Sequence, residues 1–180
     1  MKILCISDTH LENETFKSIN DKYPDMDFYI HCGDSSLLKD DPLLKNYYVV
    51  KGNHDDEDFP LEIILTIGTR RCLVVHGHHH NVYREYETLL TYMSKENIDI
   101  CFHGHTHIPT VFNNKDKYII NPGSVMINRA SYGYGTYAII TIEDTVNVSF
   151  YHHITHQECT EEVLQDGKET LDKIRGVFKY

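Results

Sequence analysis

Short apolar runs recur along the chain, and most hand over to a polar cluster or to a stretch with helical spacing. Lys2–Ser7 reads as a first buried strand, Leu11–Lys22 carries Phe16 and Ile19 at helical spacing, and Pro24 ends that helix before a second strand begins at about Asp27. Leu37–Lys45 is a shorter segment with Pro42 inside it, followed by the apolar run Tyr47–Lys51. An acidic loop to Asp58 separates these from Leu61–Ile67 and Arg71–Val75, two strands joined through Gly68-Thr69 as a hairpin. Tyr83–Lys95 puts Tyr86, Leu89, Leu90 and Met93 on one helical face and leads into the strand Ile98–Phe102. From Pro109 the pattern turns all-β, with runs at Thr110–Asn113, Lys117–Ile120, Thr136–Ile142 and Val146–Tyr151. Thr155-His156-Gln157-Glu158 has the form of a capping box. It opens a helical segment that runs to Phe178, with Leu164, Leu171 and Ile174 apolar and Gly167 expected to break it in two. The alternation predicts an α/β protein built as a two-sheet sandwich with helices outside.

The 180 residues suit one compact domain spanning 1–180, able to bury roughly two-thirds of its unfolded surface, with about 155–180 as a helical extension. That extension either packs on the sandwich or covers a homodimer surface. A net charge of -10 argues against a basic surface for a long nucleic acid. Five cysteines, four of them within or at the end of apolar strands, behave as buried hydrophobes and fit a reducing cytosol. No apolar run reaches the length of a membrane span or a signal segment, so a cytoplasmic protein is expected.

The unusual feature is the 13 histidines, several beside glycine where apolar runs end. Asp8-Thr9-His10, Gly33-Asp34, Gly52-Asn53-His54-Asp55, His76-Gly77-His78 and Gly104-His105-Thr106-His107 each follow a predicted strand. Asp8 and His10, like His105 and His107, would share a face if their strands continued through them. Asp34 has two carboxylate oxygens and can bridge two cations. Asn53 adds an amide oxygen, and His10, His76, His105 and His107 add imidazole nitrogens. This mixed set without thiolates suits manganese, iron, zinc or nickel at a catalytic site better than calcium or a structural zinc. Two such ions activate a bridging water as hydroxide and neutralise a phosphoryl group during in-line attack. His54, next to a ligand but not one itself, suits a general acid, with Asp55 to orient it.

In their order, these five stretches resemble the calcineurin-like metallophosphoesterases, and the short chain resembles their small bacterial and archaeal phosphodiesterase branch, which shares its fold with the retromer subunit Vps29. The resemblance covers nearly all of residues 1–125, including Asn121-Pro122-Gly123-Ser124. It implies a four-layer α/β/β/α sandwich of two mixed β-sheets flanked by helices. It further implies that Asp8, His10, Asp34 and His107 hold one metal, that Asp34, Asn53, His76 and His105 hold the other, and that His54 contacts the phosphate. The preference for diesters comes from the resemblance alone. Larger family members often carry an aspartate three residues after the bridging one, to pair with the catalytic histidine. Leu37 stands there in this chain, so His54 needs another partner or works unassisted.

The rival is a non-catalytic metal-binding scaffold of the Vps29 type. An intact His54 favours a phosphoesterase with two divalent ions, manganese first, acting on a small phosphate ester such as a cyclic or modified nucleotide. His78 and Arg129 are candidate substrate contacts, although a solvated histidine loop and a surface salt bridge explain them as well. Tyr132-Gly133-Tyr134-Gly135 reads equally as a nucleobase platform or as packed tyrosines in a turn. A β-lactamase-type metal motif is absent because His80-Asn81 stands where Asp-His is required, and no cysteine is followed six positions later by the arginine of a cysteine phosphatase.

Overall fold

A computed structural model describes residues 1–177. In chain order its elements are β1 (Lys2–Ile6), α1 (Asn13–Lys22), β2 (Phe28–His31), β3 (Tyr47–Val49), β4 (Glu62–Ile67), β5 (Arg70–Val75), α2 (Glu87–Lys95), β6 (Ile100–Phe102), β7 (Thr110–Asn114), β8 (Lys117–Asn121), β9 (Thr136–Ile142), β10 (Val146–His152) and α3 (Thr160–Val177). Two mixed five-stranded sheets result, in the orders β10-β9-β1-β2-β3 and β4-β5-β6-β8-β7. In the first, β1, β2 and β3 run parallel; in the second, β5, β6 and β8 do.

Side-chain alternation explains the layering. Along β1, Ile3 and Cys5 enter the core between the sheets, whereas Leu4 and Ile6 pack under α1 with Phe16 and Ile19. Along β5, Cys72 and Val74 join the same central core, while Leu73 and Val75 meet Leu89 and Met93 of α2. Each of these strands is apolar on both faces because each is covered twice. The order is therefore α1, sheet, sheet, α2, the expected four-layer sandwich. The α3 helix lies elsewhere: it packs against the edge strands β7 and β10 and inserts Val163 into the central core, closing one side of the sandwich.

Several boundaries differ from the sequence expectation. The α1 helix starts at Asn13 because Leu11 has a left-handed backbone, φ 67°. Leu37–Lys45 forms only a 3₁₀ turn at Pro42–Leu44, and α2 starts at Glu87 because Asn81–Glu85 is taken up by turns. The capping box at Thr155 opens no helix. Instead Glu158 bridges back to Tyr151 and Thr160 Oγ1 accepts the Phe150 N–H at 2.9 Å, so residues 155–159 fold along β10 before α3 begins. Gly167 does not break α3. It is buried where the helix crosses the carbonyl of Pro109, at a closeness that a Cβ would prevent. Phe178, the expected helix end, lies outside the described residues.

Candidate metal centre

The loops leaving β1, β2 and β3 of one sheet and β5 and β6 of the other converge, so one site draws on the carboxyl ends of parallel strands from both sheets. Their backbone is unusual. Asp8 (φ 51°), His10 (43°), Asp34 (56°), His105 (66°) and His107 (56°) are all left-handed without being glycine. Such conformations cost on the order of 1–3 kcal/mol each and persist only where surrounding structure imposes them. The strands do not carry through Asp8 and His10, nor through His105 and His107, as the shared-face reading supposed. Strand β1 ends at Ile6, and tight turns aim the side chains instead.

What imposes these turns is a set of buried braces. Asp55 accepts the backbone N–H groups of Asp34, Gly52 and Ser36 at 2.8, 2.8 and 2.7 Å and the Ser35 hydroxyl at 3.1 Å. It therefore locks the Asp34 loop rather than orienting His54, which corrects the sequence reading. Ser124 donates to the Asp8 carbonyl at 2.9 Å, and Asn121 Nδ2 donates to the Gly104 carbonyl and Thr106 Oγ1 at 2.8 and 2.9 Å. Gly52 and Gly104 are close-approach positions: a Cβ on either would overlap Asp34 Oδ1 or Ser7 Oγ respectively.

The candidate ligand atoms crowd together. His107 Nε2 is 3.2 Å from Asp8 Oδ1, His76 Nε2 is 3.3 Å from Asp34 Oδ2 and 4.0 Å from Asp8 Oδ1, and His10 Nε2 is 3.8 Å from Asp34 Oδ2. Asn53 Oδ1 is 3.1 Å from His76 Nε2, and the His105 ring lies 5.2 Å from that of His76. Asp8, His10 and His107 form one group able to grip an ion, and Asp8, Asp34 and His76 another. Asp8 Oδ1 is fully buried and receives no hydrogen bond, with His107 Nε2 3.2 Å away. A bare carboxylate oxygen in the interior is costly unless it faces a cation.

Protonation follows the same logic. Burial pushes the Asp34 carboxyl up, but the His76 hydrogen bond and charge prevail and hold it at about 2. Burial likewise opposes the shift at Asp8, which His107 and His76 turn downward. His105 is pushed down to about 4, chiefly by burial, and His10 is lowered for the same reason. The ionised carboxylates and the neutral His10 and His105 are ready for a divalent cation, whereas His76, which burial lowers but Asp34 and Asp8 raise overall, must give up its proton to bind one.

The remaining predicted residues border this cluster. His54 is exposed, its ring edge-on to His10 at 5.3 Å, and its backbone N–H donates to Asp34 Oδ1 at 2.7 Å. The His78 ring is 5.3 Å from His76, and the Arg129 guanidinium lies over Tyr83, whose ring is 5.3 Å from His105. Tyr132 and Tyr134 pack on each other and Tyr134 stacks on His152, with the Tyr134 hydroxyl donating to Glu162 of α3. These contacts tie the Tyr132–Tyr134 turn to β10 and α3. Cys5 and Cys32 are core fillers, their sulfurs 3.8 Å apart.

Residues 1–145 match the calcineurin-like phosphoesterase superfamily domain. The chain belongs to this superfamily. It is 42% identical over 158 residues to the probable metallophosphoesterase YsnB of Bacillus subtilis, covering 84% of this chain and 90% of that one. A Streptococcus pneumoniae crystal structure described as a predicted phosphoesterase superposes with a TM-score of 0.82 at 28% identity, covering 88% of this chain and 92% of that one. Zinc-bound Vps29 of Entamoeba histolytica shares the fold, with a TM-score of 0.71 at 21% identity over 88% of this chain and 96% of that one. This superfamily member is thus a metal-dependent phosphoester hydrolase that uses divalent ions. Among its described residues no helix is long and apolar enough to cross a membrane.

Proposed function

We propose that the protein is a dinuclear phosphodiesterase acting on a small phosphate ester or nucleotide. The observation that carries the reading is Asp34, whose Oδ2 lies 3.8 Å from His10 and 3.3 Å from His76, so that one carboxylate serves both halves of the cluster. Asp8, His10, Asp34 and His107 would hold one ion and Asp34, Asn53, His76 and His105 the other, with manganese preferred over iron, zinc or nickel. When bound, such ions make water nucleophilic near neutral pH and offset the charge of phosphoryl oxygens.

The chain's own groups supply the rest. The water oxygen joins phosphorus as the bond to the leaving oxygen breaks, and that oxygen departs with the bonding pair. His54 gives it a proton, since an exposed imidazole braced against His10 can both meet the substrate and recover its proton from solvent. Arg129 and His78 stand at the rim to hold phosphate oxygens and substituents.

The test is hydrolysis of an aryl phosphodiester and its monoester by chelator-stripped protein before and after manganese is restored, with His54→Ala alongside. Manganese-dependent turnover is expected, falling by roughly 10²–10⁴ in kcat for the variant. Absence of turnover at two bound ions per chain would replace this reading with the scaffold.

A further inference from the structure

Between β5 and α2 the chain runs from His76 to Tyr86 without strand or helix. The bonds inside this segment are local turns: the His80 N–H donates to the Gly77 carbonyl and the Arg84 N–H to the Asn81 carbonyl, both at 2.9 Å. Turns of this kind hold a loop's shape but not its position. The position is fixed from beyond the stretch that matches the superfamily, which ends at residue 145, whereas α3 begins at Thr160. Arg175, in the last turn of α3, donates from Nη2 to the Val82 carbonyl at 3.2 Å and from Nε to the Tyr83 carbonyl at 3.4 Å. Its guanidinium lies over the Tyr86 ring at 4.4 Å. A planar fork can serve two carbonyls and an aromatic face at once, which the compact ammonium of a lysine cannot.

The residue held in this way reaches the metal centre. The Tyr83 hydroxyl donates to the carbonyls of His105 and Thr106, both at 3.3 Å, and its ring stands edge-on to the His105 ring at 5.3 Å. The Arg129 guanidinium lies over the same ring at 5.9 Å, while the Arg129 backbone N–H donates to the His107 carbonyl at 2.8 Å. One tyrosine therefore touches both a proposed ligand of the second ion and the proposed phosphate contact. His105 needs such a brace, because its φ of 66° is left-handed and persists only where surrounding contacts impose it.

We propose that Arg175 is a positioning residue for the hydrolytic centre, acting through Tyr83. By holding the Val82-Tyr83 backbone it sets where the tyrosine hydroxyl and ring meet the His105 turn, and so the aim of the His105 imidazole and of the Arg129 guanidinium. The proposal rests on the phosphodiesterase reading and adds to it a dependence on α3, a helix that carries none of the candidate ligands. Partners standing behind a metal ligand typically change affinity or activity by roughly 10–100-fold when lost.

The test compares Arg175→Ala, Arg175→Lys and Tyr83→Phe with wild type, all as full chains, and uses Lys173→Ala, exposed on the same helix, as the control for a lost charge. The readouts are the affinity of each zinc ion by chelator competition, the imidazole ¹⁵N resonances of zinc-loaded protein, and kcat/KM for methyl p-nitrophenyl phosphate with manganese. Arg175→Ala and Tyr83→Phe should each weaken one zinc ion by roughly tenfold while leaving the other near wild type, move the His105 resonances more than those of His10, and lower kcat/KM by roughly tenfold. Arg175→Lys should fall between, and Lys173→Ala should match wild type. Tyr83→Phe keeps the ring and its packing, so it tests the brace should Arg175→Ala fold poorly. Wild-type zinc affinities with unmoved His105 resonances in Arg175→Ala and Tyr83→Phe would overturn the positioning role, whatever their melting temperatures, as would Lys173→Ala reproducing the losses. A wild type that turns over no ester would instead overturn the phosphodiesterase reading, a failure visible before any substitution is made.

Discussion

Replacing Gly167 with alanine sets two effects of similar size against each other. In a helix interior alanine is favoured over glycine by ~0.8–1.0 kcal/mol. Gly167, however, is buried, and a Cβ there would overlap the Pro109 carbonyl oxygen and approach Ile108 Cγ2 to 3.3 Å. The obstacle is backbone, which cannot rotate aside as the tip of a side chain could. Overpacking costs ~1–3 kcal/mol, and a rigid overlap belongs in the upper half of that range. The net loss is then roughly 1–2 kcal/mol. At ~2–4 °C per kcal/mol for a chain of this size, Gly167→Ala should melt roughly 2–8 °C below wild type. Gly176 is the internal control, because nothing lies within 4 Å of a Cβ built there. Gly176→Ala should gain up to ~1 kcal/mol and melt slightly higher. Far-UV circular dichroism at one saturating metal concentration reads all three proteins, since bound metal itself shifts the midpoint. A Gly167→Ala protein that melts at or above wild type would refute the helix-to-loop contact.

Three further outcomes are expected. Gly52→Ala drives a methyl into Asp34 and should weaken metal binding by at least ~10-fold in calorimetry; wild-type affinity would contradict the proposed role of Asp34 as a ligand. Asp55→Asn turns one acceptor toward donors in a buried site and should lower stability by ~1–3 kcal/mol in urea, without requiring metal to be present. For chelated protein, the buried titratable groups set the pH dependence. Burial depresses the His76 pKa, but Asp34 and Asp8 outweigh it and raise it above 6.5, so its contribution is complete below 6.5 and is lost as pH rises through the higher folded value. Asp34, held near 2 against an ordinary 3.8, contributes above 3.8 and loses that contribution as pH falls toward 2. His105, held at about 4, and His10, also lowered by burial, resist protonation in the folded state and so cost stability as pH falls below 6.5; stability of the chelated protein should therefore decline on acidification from 6.5. Zinc binding should release a proton, read as buffer-dependent heat; heat independent of buffer would oppose this assignment.

The strands were legible as short continuous apolar runs, because a strand covered on both faces needs apolar residues throughout, as with Ile3 and Cys5 toward the central core and Leu4 and Ile6 toward α1. The candidate ligands were legible because His, Asp and Gly at successive strand ends have few structural reasons to recur. The backbone that aims them was not: left-handed Asp8 or His107 cannot be inferred from residue type, since nothing local favours that conformation over a strand. Asp55 was assigned to the wrong neighbour because three of its four donors come from the earlier segment Asp34–Ser36, which meets it only in the fold. Gly167 and the Thr155 box misled for the same reason, local propensity yielding to contacts with Pro109 and β10.

Strand β1 sits between β2 and β9, and its residue Cys5 pairs with Ile30 on one side and Ala138 on the other. All seven candidate ligands have been synthesised once His107 is made, yet the strand that leads to Asp8 still lacks one neighbour. During translation the growing polypeptide thus carries a full complement of metal-seeking side chains well before it has the frame to hold them in place. Hydrolytic competence must be a late acquisition, arriving only when β9 and β10 emerge and dock. Such distant pairings are closed slowly, so for a nascent chain the interval between ligand synthesis and site assembly is where mis-metallation has its opportunity.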